Sequence, residues 1–220
     1  MRDCKKITID YLEGKITPSD YEKMVETDDV LYQWIQGILP DGKKFSYCTP
    51  PSLELIYYPY DIRDVMRVHE RIEYGGPKGS LGYHHYIHQE IAKIVKDAFP
   101  ELSFQLDPRP EMLRFLGLVA CPRYIGGSEV AMSNILADLL ADIPMEWSDG
   151  KKTKVARERI KAAFHIDGTH YPRWIQEPEW PVSGKTPMKY EKTVRVNPEF
   201  VQHYFVDVHT GTVRIVDDFF

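Results

Sequence analysis

Apolar residues recur at helical spacing through the first three quarters of the chain. From Thr17 onward they return every three or four residues, which predicts helix. The acidic run 26–29 interrupts this spacing, so we expect two short helices rather than one long one. The same periodicity predicts five further helices, at 62–74, 81–99, 113–119, 130–143 and 152–164. The segment 43–60 holds three prolines and predicts an irregular connection.

The pattern changes after about residue 170. Four prolines between 172 and 187 predict an extended loop that carries Trp174 and Trp180. β-branched and aromatic residues then dominate three short segments, which is typical of strands at 190–196, 200–208 and 212–216. Gly211 can adopt the positive φ of a hairpin turn between the last two strands.

Helices and strands that are segregated along the chain indicate an α+β fold. We expect it to be mainly helical, with a small C-terminal antiparallel sheet. We also expect a single domain over 1–220, with a helical part at about 1–165 and the tryptophan loop and strands at about 170–220. One domain is favoured because a three-stranded sheet of this size needs helices packed on it to be stable.

Composition and charge exclude several classes of protein. The chain has 220 residues, of which 43% are hydrophobic, as is normal for a globular protein. Its 28 basic and 33 acidic residues give a net charge of −5, which disfavours nucleic acid or an anionic membrane as a partner. No apolar run resembles a signal peptide or a membrane span. Three scattered cysteines predict neither a disulfide framework nor a zinc site, so we expect a cytoplasmic protein without a cofactor.

One pattern could belong to a metal site. His84 and His88 stand one helical turn apart, a spacing that can chelate a transition metal. A zinc site needs a third ligand, and the HExxH motif would require a glutamate where His85 stands. We favour half-buried, hydrogen-bonded histidines, and a metal-dependent enzyme built on this pair is the alternative.

Other chemical patterns have structural interpretations. The run 165–170 contains two histidines and an aspartate at a predicted helix end, where we expect capping and a turn through Gly168. The run 151–161 contains six basic residues on a predicted amphipathic helix, which indicates a solvated face rather than a nucleic-acid site. Ser128 lacks the G-x-S-x-G context of hydrolases, and Cys121 is expected to be an unreactive thiol. No set of residues with a catalytic arrangement is found.

The segment 172–181 reads Pro-Arg-Trp-Ile-Gln-Glu-Pro-Glu-Trp-Pro. It resembles a P-x-W-I-Q-x-P-E-W-P signature of uncharacterised bacterial cytosolic proteins, which are grouped with immunity proteins of contact-dependent or polymorphic toxin systems. The segment 204–211 is similar to that group's Y-Y-F-x-D-x-x-T-G hairpin, and 83–99 and 122–130 also resemble it. An inserted Thr186 and the sequence at 189–192 depart from the group's pattern.

The resemblance, the acidic balance and the lack of a catalytic set favour a non-enzymatic protein-binding module, specifically an immunity-type protein that neutralises a cognate toxin. Acidic residues would steer a basic toxin, and tryptophans are common binding hot spots. The candidate contacts are Glu26, Asp28, Asp29, Trp174, Glu177 and Trp180. For the two tryptophans, stapling of the loop onto the helices is the competing explanation. A structural subunit of a larger assembly is the third hypothesis.

Overall fold

A computed structural model describes residues 3–49, 54–67, 79–126 and 130–219. The described residues form eight α-helices, one 3-10 helix and seven short strands, which confirms the α+β class. The chain divides into two compact units, Met1–Arg114 and Phe115–Phe220, and each is described by itself below. The single domain expected from the sequence stays a prediction. No helix among the described residues is long and apolar enough to cross a bilayer.

Unit 1 is mainly helical. Its elements are α1 (Cys4–Leu12), α2 (Pro18–Thr27), α3 (Asp29–Gly37), β1 (Lys44–Thr49), β2 (Glu54–Pro59), α4 (Ile62–Arg67), α5 (Leu81–Ala98) and the start of α6 (Arg109–Ala120). Side-chain caps begin several of these helices: Thr17 accepts the Asp20 N–H before α2, and Ser80 accepts the Tyr83 N–H before α5. Asp28 separates α2 from α3, as the acidic run predicts.

The core of unit 1 is built around α5. Its apolar stripe is fully buried and packs with side chains from α1 to α4; the core cluster includes Ile87, Ile91, Ile94, Val95, Leu31, Ile35, Val65 and Met66. Two tyrosines contribute as well, because the Tyr11 and Tyr21 rings stack with their centroids 4.0 Å apart.

One element of unit 1 was not predicted, and one expectation for this unit was wrong. Helix α1 was not predicted, because its buried positions include Cys4 and Thr8, which do not mark an apolar face. The irregular connection expected at 43–60 contains an antiparallel hairpin, in which β1 pairs with β2 from Lys44 opposite Pro59 to Thr49 opposite Glu54. A proline stops a ladder only where its N–H is needed, and Pro59 stands at the end of its strand. The predicted helix 62–74 begins at Ile62, and its part beyond Arg67 lies outside the described residues.

Unit 2 contains the rest of α6, a 3-10 helix (Arg123–Ile125), α7 (Val130–Leu140), α8 (Asp149–Ala163) and the C-terminal strands. A two-stranded ribbon pairs β3 (Val182–Ser183) with β4 (Thr186–Pro187). A three-stranded antiparallel sheet follows, in the order β5 (Lys189–Asn197), β6 (Phe200–Val206), β7 (Val213–Phe219), which confirms the predicted sheet. The segment 127–129, which holds Ser128, lies outside the described residues.

The turns of unit 2 are formed by local hydrogen bonds. Between β6 and β7 the Asp207 carboxylate accepts the N–H groups of His209 and Thr210 at 2.8 and 3.1 Å, and Gly211 has φ of 72°. This confirms the predicted hairpin. After α8, His165 adopts φ of 53° and the Ile166 N–H donates to the Lys161 carbonyl, so the left-handed capping residue is His165. Gly168, with φ of 56°, forms the next turn, as expected.

The three-stranded sheet has two different faces. Residues paired across the strands share a face, so the register defines each row. The inner face carries the rows Tyr190–Phe205–Arg214, Thr193–His203–Val216 and Arg195–Val201–Asp218. The outer face carries the rows Lys189–Val206–Val213, Lys192–Tyr204–Ile215, Val194–Gln202–Asp217 and Asn197–Phe200–Phe219. Two irregularities in β5, at 190–192 and 195–197, change its alternation and keep these rows aligned.

Candidate functional site

The tryptophan loop, residues 172–181, is fixed to the sheet through its two indoles. Trp180 is buried, with its ring at 5.5 Å from Phe164 and 5.2 Å from Phe205, and its indole N–H donates to the Met188 carbonyl at 2.8 Å. This ring is a core residue of unit 2 and offers no surface to a partner.

Trp174 is half-buried in the same loop. Its indole N–H donates to the Tyr124 carbonyl at 2.7 Å, and its ring meets the His203 ring edge-on at 4.6 Å. Glu177, between the two tryptophans, is exposed. Of the three predicted contact residues in the loop, only Glu177 therefore lies fully in solvent, and the stapling function applies to both indoles.

A buried polar network also fixes this loop to the inner face of the sheet. Asp218, on β7, is only 2% exposed, and its carboxylate accepts the N–H groups of Ile175 and Gln176 at 2.6 and 3.0 Å. The same carboxylate lies 3.1 Å from Nε2 of His203 on β6, a fully buried side chain. Since a carboxylate can only accept, His203 Nε2 carries the proton. We call Asp218, His203 and the two loop amides the Asp218 latch.

The network continues from the latch to β5. His203 Nδ1 lies 2.7 Å from the Thr193 hydroxyl, which lies 2.7 Å from the Tyr190 hydroxyl. With the imidazole neutral, Thr193 donates to Nδ1 and Tyr190 donates to Thr193, so every polar atom along the line has a partner. A buried polar group needs a hydrogen-bond partner, because leaving it unpaired costs about 1–3 kcal/mol of folding free energy.

The order hydroxyl, imidazole, carboxylate is also that of a nucleophilic triad. In a triad, however, the imidazole must be able to take a proton from the hydroxyl while the hydroxyl oxygen attacks a substrate. Here Thr193 Oγ1 is held between two groups, and His203 is fully buried beneath the Trp174 ring. The network therefore fixes the loop on the sheet. Sequence reasoning did not identify His203 or Asp218, and the only available signal was that each strand has a polar residue among its inward positions.

The acidic stretch of unit 1 is already engaged in structural contacts. Asp28 caps α3 by accepting the N–H groups of Val30 and Leu31 at 3.0 and 3.3 Å. Asp29 pairs with Arg63 of α4 at 2.7 Å, although its side chain remains 78% exposed. Glu26 is half-buried. The structure brings these three candidates together at the α2–α3 junction, where Asp29 is the most exposed.

The paired histidines of α5 contact different neighbours. His84 Nδ1 lies 3.1 Å from a Glu22 oxygen, without the alignment of a hydrogen bond, whereas His88 Nε2 donates to the Leu12 carbonyl at 3.1 Å. Burial lowers the pKa of His88 and of His85, since the charged form loses its hydration. In the described ranges no group of three His, Cys, Asp or Glu side chains is arranged to hold a metal.

The basic run lies on α8, as predicted. An open groove of about 430 Å³ runs along its solvent side and is lined by Thr153, Lys154, Arg157, Glu158 and Lys161. Arg157 donates to the Val119 carbonyl at 3.1 Å, and Lys151 lies over the Trp147 ring. Burial raises the pKa of the Cys121 thiol to about 11, in line with an unreactive cysteine.

The outer face of the sheet is unusually apolar for a surface. Val213, Ile215 and Phe219 of β7 are 54%, 47% and 51% exposed, and Val194 is exposed on β5, at the opposite edge of the sheet. The half-buried Tyr204 of β6 lies at the centre of the face. On the same strand β7, the inner face buries Val216 and a carboxylate, Asp218. The strand thus exposes its more apolar side, the opposite of what its own hydrophobic pattern favours.

A comparison of the chain with protein-family models, curated proteins and solved structures finds no match. The proposals that follow are therefore argued from the geometry of the described residues and from the sequence itself.

Proposed function

We propose that this protein is a non-enzymatic protein-binding module that uses the outer face of its C-terminal sheet. The observation that carries the proposal is the orientation of β7, which turns three large apolar side chains to solvent while it buries Asp218. A conflict between local pattern and tertiary arrangement is expected mainly at functional sites. A contiguous exposed apolar patch marks a site of protein interaction more often than it marks chance exposure.

The build of the face also supports binding. The middle strand presents no charged residue on this face, and the charged residues stand on the two edge strands, in line with the polar rim of a protein interface. The Asp218 latch fixes the opposite side of the sheet to the tryptophan loop, so the face is rigid and little conformational entropy is lost when a partner binds. The loop thus contributes to binding by supporting the sheet.

The finer proposal rests on the sequence resemblance. On that basis the partner is a toxin of a polymorphic toxin system, and the protein neutralises it in the bacterial cytoplasm. We expect the toxin to be basic, because Asp29 of the acidic stretch keeps most of its side chain in solvent, where it can attract a positive charge. Such a charge would raise the rate of association more than the affinity.

The test is retention of a partner by three forms of the full chain. We would co-express wild type, Ile215→Lys or Leu118→Lys with the genes that neighbour the gene of this protein. Each form would then be purified, and the proteins that co-purify with it would be quantified. Leu118 is the matched control, since it is 69% exposed but lies on α6. We expect wild type and the control to retain one partner in equal proportion, and Ile215→Lys to lose at least tenfold.

Equal retention by all three forms would exclude the outer face as the contact surface. Retention of no partner by wild type would contradict the proposed function itself. The toxin proposal has a separate readout: growth of cells that express the neighbouring toxin gene, with and without this protein. Unchanged growth inhibition would remove the immunity-type interpretation and leave a binding module of another kind.

A further inference from the structure

Strand β7 is an edge of the three-stranded sheet. Within the described residues it pairs with β6 alone, through seven consecutive residue pairs without a register shift. The tryptophan loop bonds to β7 through the Asp218 side chain, and no bond from the loop to the β7 backbone is found in the described ranges. One side of β7 therefore carries backbone N–H and C=O groups that no described strand uses.

The hairpin turn shows which backbone groups point to this free edge. The Asp207 N–H donates to the Thr212 carbonyl at 2.9 Å, directly before the first strand pair, Val206 with Val213. Hydrogen-bonded and non-hydrogen-bonded pairs alternate along an antiparallel ladder. The Val206–Val213 pair is therefore non-hydrogen-bonded, and so is every second pair after it. The residues whose N–H and C=O groups point away from β6 are Val213, Ile215, Asp217 and Phe219.

The same four residues carry the exposed side chains of β7 on the outer face. Val213, Ile215 and Phe219 expose apolar groups, and Asp217 adds the one charge that β7 has on this face. A strand added at the edge would find main-chain partners and side-chain contacts on the same residues. Recognition of an extended peptide by a sheet edge uses these two elements, because main-chain hydrogen bonds supply affinity and alternate side chains supply specificity.

We propose that the partner binds through an extended segment that pairs with β7 and adds a fourth strand to the sheet. This inference rests on the proposed function, because it gives a binding mode to the same outer face. An antiparallel orientation is favoured, since antiparallel pairing is slightly more stable per residue. The odd-numbered residues of a seven-residue segment then lie opposite Phe219, Asp217, Ile215 and Val213, in that order.

The side chains of β7 specify the chemistry of this segment. Residues directly opposite each other in a ladder share a face, and apolar pairs and pairs of opposite charge stabilise it. Opposite Asp217 we therefore expect a lysine or an arginine, and opposite the other three residues we expect apolar side chains. The even-numbered residues of the segment would continue the inner face.

The other edge strand, β5, is protected against such addition. Its register with β6 shifts at 190–192 and at 195–197, and its charged residues are Lys189, Glu191, Lys192 and Arg195. Register shifts and charged side chains on an edge strand discourage pairing with a further strand. Strand β7 has no shift, and its Arg214 and Asp218 stand on the inner face. The free edge of the sheet is therefore that of β7.

The test uses a labelled synthetic peptide, Val-Thr-Lys-Thr-Val-Thr-Val, and the purified full chain. Two N-methylated forms test the main-chain pairing, because N-methylation removes the amide donor. Methyl groups on the third and fifth residues remove N–H groups that face β7, whereas methyl groups on the fourth and sixth residues remove N–H groups that face solvent. We expect the second form to bind like the unmodified peptide, and the first form to bind at least about tenfold more weakly.

The charge contact has its own exchange experiment. Replacement of the peptide lysine by glutamate should weaken binding to wild type by about two- to fivefold, because two acidic side chains then lie opposite each other. Asp217→Lys should restore the binding of the glutamate peptide to the level of wild type with the lysine peptide. Failure of this restoration would overturn the proposed register.

Amide hydrogen exchange gives a readout that side-chain contact alone would not change. In the free chain, the Ile215 and Asp217 amides should exchange faster than the Arg214 and Val216 amides, which point to β6. Saturation with the peptide should protect the Ile215 and Asp217 amides at least about tenfold.

A proline variant tests the same edge from the side of the protein. Ile215→Pro removes one edge donor, and proline is tolerated at edge positions whose N–H faces solvent. We expect it to weaken peptide binding at least about tenfold, whereas the matched control Ile215→Val, which keeps the N–H and an apolar side chain, should bind like wild type. Urea unfolding verifies that both variants fold, and the N-methylated peptides test the same bonds in wild type.

Several results would overturn the inference. They are no binding of the unmodified peptide at about 1 mM, equal binding of the two N-methylated forms, and no gain of protection at the Ile215 and Asp217 amides. Protection of these amides at high protein concentration without peptide would identify a second copy of the chain as the occupant, and would also overturn it.

The outcomes separate this inference from the proposed function. If wild type retains a partner in cells and Ile215→Lys loses it, but the peptide does not bind, the proposed function stands and strand addition fails. If the peptide binds with the expected alternation but wild type retains no partner in cells, the edge accepts a strand and the proposed function fails.

Discussion

Removal of the Asp218 carboxylate should release the tryptophan loop from the sheet. Asp218→Ala leaves three donors without their acceptor: the Ile175 and Gln176 amides and His203 Nε2. All three now donate to a carboxylate that is almost fully buried. Removal of one partner from a buried charged network costs about 3–5 kcal/mol, since the remaining groups lose their hydrogen bonds without regaining water.

The control is the neighbouring residue on the same strand. Asp217 has the same side chain but points to the outer face, where it is exposed and accepts one hydrogen bond from Gln202. We expect Asp217→Ala to change the free energy of unfolding by less than about 0.5 kcal/mol, as is usual for exposed positions. Asp218→Asn, which keeps one acceptor oxygen, should cost about 1–3 kcal/mol.

The assay is urea unfolding followed by tryptophan fluorescence, because Trp174 and Trp180 both lie in the loop that the latch holds. With a slope of about 1.5 kcal/mol per molar urea, a loss of 3 kcal/mol lowers the midpoint by about 2 M. Hydrogen exchange gives a local readout: the Ile175 and Gln176 amides should lose at least about tenfold of their protection in Asp218→Ala. The reasoning is refuted if Asp218→Ala and Asp217→Ala agree within about 0.5 kcal/mol and both amides stay protected.

Three further predictions concern burial. Trp180→Ala should destabilise unit 2 by about 3–5 kcal/mol in the same urea assay, since it removes a buried indole and its hydrogen bond to the Met188 carbonyl. A loss of less than about 1 kcal/mol would contradict the core position of this ring. Because burial lowers the pKa values of His85 and His88 in the folded state, the unfolded state binds more protons below about pH 6.5. Stability should therefore fall as pH drops below that value, by at most about 1.4 kcal/mol per pH unit for each histidine, and His88→Gln should reduce the slope. Cys121, with a pKa of about 11, should react with a thiol reagent at pH 8 on the order of a hundredfold more slowly in the folded protein than in urea, and equal rates would contradict its burial.

Local signals in the sequence were sufficient for most of the helices and for the C-terminal sheet. Helices α2 and α3 begin after Thr17 and Asp28, whose side chains accept backbone N–H groups two or three residues further on. Residues close together in the sequence therefore determine where these helices begin. Gly211 acts in the same local way in the hairpin turn. Helix α1 was missed because Thr8 is buried through its own hydroxyl bonds to Cys4 and Tyr21, which an apolar pattern does not include. The hairpin of β1 and β2 was not predicted, because the three prolines of 43–60 indicate an irregular connection more strongly than the aromatic and β-branched residues beside them indicate strands.

The candidate sites depended on contacts that only the tertiary structure decides. Both tryptophans were identified from the sequence, but packing against Phe164 and Phe205 buries one of them and leaves the other partly in solvent. His203 and Asp218 are 15 residues apart, and the register of β6 with β7 brings them to one face. The hydrophobic pattern of β7 favours burial of Val213, Ile215 and Phe219. The tertiary structure buries the opposite side, because Asp218 on that side satisfies two loop amides and an imidazole that would otherwise lose water without replacement.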